Sequence, residues 1–431
     1  MYKYSYVFFF AIAAISCMSL GEATSLELQY RSFFKDREYF FLRSGNLQYI
    51  IQADRADLGP AVMGYIFDAS DVKRSGKNTA YNYNDVNGVR HTALEVIMKN
   101  DFAFTAFGQQ TRVNWIVSDN GIPAVQAAWW ADGIQVSESF CGVSSEGVIC
   151  RTIVLHGSNL EGTEKIRLRL RLPAGNASVQ EKAMYVTYKN CLQAIAVTSE
   201  QPCHFNPQDG FVEIGPLEIS PQQTITIETL LVAQVPPKDN DDFAGRLSRL
   251  IDKNNLDKSI AKSREYWSHI STVQTADDLV ARLFNNTRYA LKAIPSDSGI
   301  TRVGPFQYDG EWVRDMSNIT LGMTSAGHFE LSRAMLEHMI RDMITTSGVA
   351  MIDGGFADPN REQFDQAGEY LYALRYYIDF TGDTSLITTY REKILALIER
   401  PLRPEFRDKT LMVHNNREFW EQTLTDGYEL A

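Results

Sequence analysis

The sequence has no run of clustered lysine and arginine. Over its 431 residues, 53 acidic residues face 42 basic ones, which gives a formal net charge of -11 at pH 7. A nucleic-acid-binding surface needs concentrated positive charge to contact phosphates. The composition therefore argues against a nucleic-acid partner and favours a neutral or small one.

The signatures of several enzyme classes are also missing. The chain contains no HExxH, GxSxG, P-loop or GxGxxG sequence. These motifs mark zinc proteases, α/β-hydrolases, phosphate-binding loops and dinucleotide-binding units. We therefore expect no cofactor.

Cysteine is scarce, and the five cysteines include no CxxC pair. No histidine lies at ligand spacing to a cysteine, which argues against a structural zinc site. Cys141 and Cys150 flank a predicted hairpin turn, and Cys191 and Cys203 flank a similar excursion. Removal of an N-terminal export signal that contains Cys17 would leave four cysteines. An even number in an exported protein fits disulfides, but the pairing stays open.

The N-terminal segment has the pattern of an export signal. Lys3 precedes the apolar run VFFFAIAAISCMSL, and small and polar residues follow it. This run is too short to give a stable membrane span. We expect a signal peptide over residues 1–24 and release outside the cytoplasm, either secreted or periplasmic. Lipidation of Cys17 is the alternative.

Residues 25–237 predict a β domain. Segments such as TITIETLLVAQV alternate apolar and polar residues and are separated by Gly, Asn, Asp and Ser turns. The clearest is KIRLRLRL, where Ile166, Leu168 and Leu170 share one face and Arg167 and Arg169 the other. Many strands without intervening helices predict antiparallel sheets in a large sandwich.

From residue 238 the apolar period becomes helical. We expect linker helices over 238–274 and a helical array over 275–431. One helix carries Met335, Met339 and Met343 on a broad apolar face, which favours core packing. Another is predicted to stop at Gly382, and a last one to begin near REFWEQT. The array looks incomplete, which predicts that the chain is a fragment.

Chemistry-bearing residues are concentrated at YDGEWVRD, residues 308–315. Arg314 offers a fork of donors, Asp315 offers acceptors, and Tyr308 and Trp312 offer flat apolar faces. Sugars use this combination, because their hydroxyls take bidentate hydrogen bonds and their C–H faces stack on aromatic rings. The alternative is that Arg314 and Asp315 cap helices and Trp312 fills a core.

Two further segments have the same character. The first, EQFDQAGEY, contains Gln363 and Asp365, and the second, REFWEQTLTDGYE, contains Trp420 and Glu421. All three precede the second helix of a predicted hairpin, so in an α/α array they would open at the same end. Such a cleft suits a glycosidase, which needs one carboxylic acid and one carboxylate.

These motifs and their order resemble the six-hairpin glycosidases, most of all bacterial glucoamylase-type enzymes of glycoside hydrolase family 15. The resemblance implies an N-terminal antiparallel β-supersandwich followed by an (α/α)6 barrel, here incomplete. It implies that Arg314 and Asp315 hold the sugar in the cleaved subsite, with Tyr308 and Trp312 beside them. It also implies that Gln363 and Asp365 line the substrate subsites.

The resemblance further assigns Trp420 and Glu421 to the W-E motif, in which the glutamate is the general acid. The implied reaction is inverting, exo-acting hydrolysis of α-glucan-type oligosaccharides. The expected catalytic base would lie beyond residue 431, so this chain itself is expected to be inactive. An inverting glycoside phosphorylase and a non-catalytic or degenerate sugar-binding relative remain the alternatives.

Overall fold

A computed structural model describes much of the chain from residue 37 onward. The described residues are 37–44, 47–54, 61–66, 94–99, 101–105, 112–117, 122–143, 147–171, 176–180, 182–188, 191–234, 243–268, 273–301, 311–350, 364–407, 409–411, 413, 418–419 and 422–423. Tyr308, Gln363, Trp420 and Glu421 lie outside them, as do Cys17 and the predicted signal peptide. Described residues up to Ala290 form one compact unit, and those from Leu291 onward form a second.

The first unit is built from antiparallel sheets. Its strands are β1 (Arg37–Ser44), β2 (Leu47–Asp54), β3 (Ala61–Ile66), β4 (Leu94–Ile97), β5 (Ala103–Thr105), β6 (Arg112–Val117), β7 (Pro123–Ala131), β8 (Ile134–Val143), β9 (Val148–His156), β10 (Glu164–Arg171), β11 (Asn176–Gln180), β12 (Ala183–Tyr188), β13 (Cys191–Val197), β14 (Cys203–Asn206), β15 (Phe211–Ile219) and β16 (Thr224–Gln234). An 8-stranded sheet has the order β11-β12-β13-β16-β9-β8-β7-β6, and a 5-stranded sheet has the order β14-β15-β10-β4-β5. β1, β2 and β3 form a third sheet.

The alternation predicted for KIRLRLRL is confirmed in β10. Ile166, Leu168 and Leu170 are buried, while Arg167 and Arg169 lie on the opposite face. Both arginines pair with Glu213 of the neighbouring strand β15, at 3.2 and 3.1 Å. Successive side chains of a strand point to opposite faces, so one face of β10 joins the core and the other carries the ion pairs.

Two helices pack on the 8-stranded sheet within the first unit. They are α1 (Phe243–Ile251) and α2 (Lys253–Ser268). Leu247 of α1 and Leu256 of α2 are buried in one cluster with Cys150 of β9 and Leu230 of β16. The adjacent Ile149 is also fully buried. Neighbouring residues of β9 face opposite ways, so both faces of this strand are covered.

The helix that follows begins with a side-chain cap. α3 (Asp278–Ala293) begins where Asp277 Oδ1 accepts hydrogen bonds from the backbone N–H groups of Leu279 and Val280, at 2.8 and 3.2 Å. A side-chain oxygen in this place satisfies the unpaired N–H groups of a helix start.

The second unit is mainly helical. It contains α4 (Val313–Ser325), α5 (Phe329–His338), a π-helical turn (Met339–Met343), α6 (Asp365–Thr381), α7 (Ser385–Thr389), α8 (Arg391–Glu399) and short 3-10 turns at Arg400–Leu402 and Pro404–Phe406. Its core includes Met316, Met335, Met339, Tyr370 and Leu397, each with no exposed surface. The predicted core role of the methionines is therefore confirmed.

The predicted helix stop at Gly382 is also confirmed. α6 ends at Thr381, and Gly382 adopts a left-handed φ of 70° that a residue without Cβ reaches at no steric cost. Its N–H donates to the Ile378 carbonyl at 2.8 Å. Asp383 Oδ1 then accepts a hydrogen bond from the Ser385 N–H at 2.9 Å and starts α7.

The helix predicted near REFWEQT is wrong in the residues that the structure describes. Glu418–Phe419 (β17) and Gln422–Thr423 (β18) are short antiparallel strands, with Phe419 opposite Gln422. Aromatic and β-branched residues lose side-chain freedom in a helix and fit a pleated strand better. The Phe, Trp and Thr of this segment therefore outweigh the helical spacing.

The described fold is thus multidomain β + α, with antiparallel sheets followed by helices. The described helices do not establish an (α/α)6 barrel, and the supersandwich stays a prediction, as do the domain boundaries.

Candidate functional site

The start of α4 places Trp312, Arg314 and Asp315 within one helical turn. Trp312 has an extended backbone, with φ of -125° and ψ of 121°, and α4 begins at Val313. The Val313 N–H donates to the side-chain Oε1 of Gln366 in α6, at 3.1 Å. A side chain from a second helix, and not Arg314 or Asp315, therefore satisfies this backbone donor of α4.

The start of α6 supplies the facing group. Asp365 Oδ1 accepts a hydrogen bond from the Gln366 N–H at 2.9 Å, which orients the carboxylate at the helix end. Its second oxygen, Oδ2, accepts a hydrogen bond from Arg314 Nη1 at 2.9 Å. Arg314 Nε also lies 3.7 Å from Asp315 Oδ2. The guanidinium therefore lies between carboxylates from two helix starts.

We call Arg314, Asp315, Asp365 and Glu369 the carboxylate–arginine cluster. Burial raises the pKa of Asp315, and the positive charge of Arg314 and a backbone hydrogen bond partly offset this rise. Burial and then the negative charge of Asp365 raise the pKa of Glu369. The carboxyl groups of Asp315 and Glu369 therefore keep their protons more readily than exposed carboxyl groups do. A protonated carboxyl group can donate as well as accept hydrogen bonds.

One donor beside the cluster is unsatisfied in the part of the chain that the structure describes. Gln366 is fully buried, and its Nε2 has no hydrogen-bond partner there. A buried polar group without a partner is costly, so such a group calls for an explanation.

A buried histidine, His338, contacts the segment that precedes α4. His338 Nε2 is 2.8 Å from Glu311 Oε1, and His338 Nδ1 is 3.0 Å from Asp342 Oδ2. The side chains of His338 and Glu311 are 4% and 1% exposed. Glu311, which belongs to the YDGEWVRD segment, is therefore held in the protein interior.

The structure brings three of the predicted site residues together, namely Arg314, Asp315 and Asp365. Trp312 is partly exposed beside them in sequence. The placement of Tyr308, Gln363, Trp420 and Glu421 is not described. Sequence reasoning missed Glu369, Gln366 and His338. The i, i+4 spacing of Asp365 and Glu369 was the available signal for the first, because residues so spaced share a helix face.

Neither a metal site nor a membrane-spanning helix is found among the described residues. Among the described residues, no group of three or more His, Cys, Asp or Glu side chains could hold a metal ion. No described helix is long and apolar enough to cross a membrane.

No protein-family model matches the sequence, and no curated protein matches it. Among solved structures, the chain is similar to a putative kojibiose phosphorylase from human microbiome, with a TM-score of 0.47 and 12% identity over 82% of this chain and 55% of that one. It is also similar to the GH36 alpha-galactosidase AgaB from Geobacillus stearothermophilus, with a TM-score of 0.29 and 13% identity over 47% and 40%. A third is the heparan sulfate lyase HepC from Pedobacter heparinus, with a TM-score of 0.31 and 12% identity over 47% and 36%.

All three structures carry the names of carbohydrate-active enzymes. The chain spans about half the length of the first and less of the other two. Their TM-scores are too low to assign a shared fold or a function.

Proposed function

We propose that the carboxylate–arginine cluster binds a sugar unit of an oligosaccharide. The observation that carries this proposal is the 2.9 Å pair of Arg314 with Asp365, whose residues are 51 positions apart in sequence. The pair joins the W-x-R-D segment to the segment containing Asp365. Planar donors beside carboxylate acceptors can take adjacent hydroxyls in bidentate hydrogen bonds.

We propose further that the whole protein is an inverting, exo-acting glycosidase on α-glucan-type oligosaccharides. The raised pKa values of Asp315 and Glu369 support a site whose carboxyl groups can donate as well as accept hydrogen bonds with hydroxyl groups. Glu421 remains the proposed general acid, on the resemblance of its W-E motif, with Trp420, Gln363 and Tyr308 as proposed substrate contacts. Export from the cytoplasm, with the lipid anchor at Cys17 as its alternative form, also remains a proposal.

The charge of the cluster favours hydrolysis over phosphorolysis. A phosphorylase must bind inorganic phosphate, which is an anion. Three carboxyl groups around one arginine repel an anion unless protons or other cations compensate them. Phosphate would therefore need a binding place built from other residues.

Binding of maltotriose to the full chain by isothermal titration calorimetry tests the sugar site. Asp365→Asn should weaken binding by roughly tenfold or more, because it removes a charge-assisted hydrogen bond. Asp379→Asn is the matched control, since Asp379 lies on the same helix and pairs with Arg375 at 2.7 Å on the exposed surface. Equal effects of the two variants would contradict the proposed site.

Product analysis of the whole protein, which would carry the catalytic base expected beyond residue 431, separates the two reactions when it is run with and without inorganic phosphate. Release of glucose that does not depend on phosphate supports hydrolysis. Release of a glucose phosphate only when phosphate is present would replace hydrolysis by phosphorolysis. Binding without either product favours the non-catalytic alternative.

A further inference from the structure

The two contacts made by His338 favour one protonation state of its ring. Both ring nitrogens lie at hydrogen-bond distance from carboxylate oxygens, at 2.8 Å from Glu311 and 3.0 Å from Asp342. An ionised carboxylate only accepts hydrogen bonds, while a neutral imidazole has one donor nitrogen and one acceptor nitrogen. Two ionised carboxylates can therefore be satisfied only by the imidazolium form, in which both nitrogens carry a proton.

The surroundings favour this cation. Burial lowers the pKa of His338, but hydrogen bonds to Asp342 and Glu311 and the charges of these groups outweigh it and raise the pKa to about 9. The same contact with His338 holds the pKa of Asp342 well below its usual range. Arg341, Lys393 and Tyr390 also face Asp342, and Arg341 Nη2 donates to it at 2.6 Å.

The connection to the candidate site runs through the backbone. Glu311 directly precedes Trp312, and Arg314 follows in the first turn of α4. His338 ends α5 and leads into the π-helical turn that carries Asp342. π-Helical turns are uncommon and are frequently found at functional sites. The buried His338 thus ties the segment before α4 to the end of α5.

We propose that His338 is a positioning residue of the sugar site, which acts by holding Glu311 and with it the Trp312–Asp315 segment. This proposal rests on the proposed function. Loss of the imidazolium proton leaves Glu311 buried without its cationic partner. The segment then shifts, and Arg314 loses its alignment with Asp365.

Nuclear magnetic resonance of the full chain tests this directly. The ring nitrogens of His338 are followed from pH 6 to pH 10, together with the backbone amides of residues 312–315. We expect the amides to shift with the same midpoint as the His338 ring, near the pKa of about 9. Affinity for maltotriose should be constant below this midpoint and fall through it.

Two variants separate positioning from general stability. Glu311→Gln keeps the side-chain shape and removes the charge, so the titration of His338 and the fall in affinity should both move toward the ordinary histidine range. His328→Gln is the matched control, because His328 is also buried and lies at the other end of α5. It should leave the pH profile unchanged.

The outcomes are distinct. If the amides of residues 312–315 do not follow the His338 ring, or if Glu311→Gln keeps the wild-type pH profile, the positioning role is wrong. If the unaltered protein binds no maltotriose at any pH, the proposed function fails, while the amide shifts still decide the positioning role. Should Glu311→Gln not fold, the titration of the unaltered protein decides it.

Discussion

Removal of one charge from the core of the 8-stranded sheet should be among the most destabilising single changes in this protein. Glu138 of β8 and Arg151 of β9 form an ion pair with side chains 1% and 0% exposed. Arg151 Nε donates to Glu138 Oε2 at 3.0 Å, and the Trp129 indole N–H donates to Glu138 Oε1 at 2.9 Å. The Arg151 guanidinium also lies 5.0 Å from the centre of the Phe140 ring.

The substitution Glu138→Gln keeps the volume of the side chain and removes its charge. It leaves the Arg151 cation buried without its ionic partner, and breaking a buried pair in this way costs about 3–5 kcal/mol. The double variant Glu138→Leu/Arg151→Met removes both charges. It should lose only about 1–3 kcal/mol, chiefly because the Trp129 N–H loses its acceptor.

Urea unfolding followed by circular dichroism measures these differences. The surface substitution Glu218→Gln is the control, because Glu218 pairs with Lys165 where both side chains are largely exposed, and such pairs contribute little. The reasoning is refuted if Glu138→Gln costs no more than this control, or if the double variant is less stable than Glu138→Gln.

Three further changes have expected outcomes. Gly348→Ala should destabilise the protein by about 1–3 kcal/mol, because Gly348 has a φ of +80° and a Cβ would lie 2.4 Å from the Ala396 carbonyl oxygen. Thermal unfolding measures the loss of stability, and an unchanged unfolding midpoint would contradict this expectation. Lys393→Met should cost about 1.5–3 kcal/mol in urea unfolding, since Lys393 Nζ donates to three backbone carbonyls at 2.7 to 2.9 Å, and Lys393→Arg should recover part of the loss. Cys141 and Cys150 lie opposite each other in the β8–β9 register as thiols. Mild oxidation by a disulfide reagent should therefore join them and lower the intact mass by two hydrogen atoms. An unchanged mass would exclude the local pairing.

The cysteine positions show how much of the structure a local sequence pattern can predict. The sequence placed Cys141 and Cys150 on either side of a turn but left their pairing open. The register of β8 and β9 makes them direct neighbours, and the hydrogen bond of the Cys150 thiol to Cys141, together with burial, raises the pKa of Cys150 well above its usual range. Register depends on every residue of the two strands, so no single position predicts it.

The candidate site could likewise be predicted only in part from the sequence. The types of Arg314, Asp315 and Asp365 indicated a sugar-binding chemistry, and the helical period placed them near helix starts. That Glu311 turns away from this group to bind a histidine 27 residues later could not be predicted. A spacing in sequence carries no information on contacts between separate helices.

What the sequence by itself determined is therefore local. The two-residue period of β10, the helix stop at Gly382 and the apolar face of Met335 and Met339 follow from backbone geometry and burial, which act over a few neighbouring residues. Only the tertiary structure decided that Gln366 satisfies the start of α4, that Arg314 pairs with Asp365, and that His338 is buried between two carboxyl groups. These contacts arise from the packing of distant segments, and their free energies depend on a burial that exists only once the chain has folded.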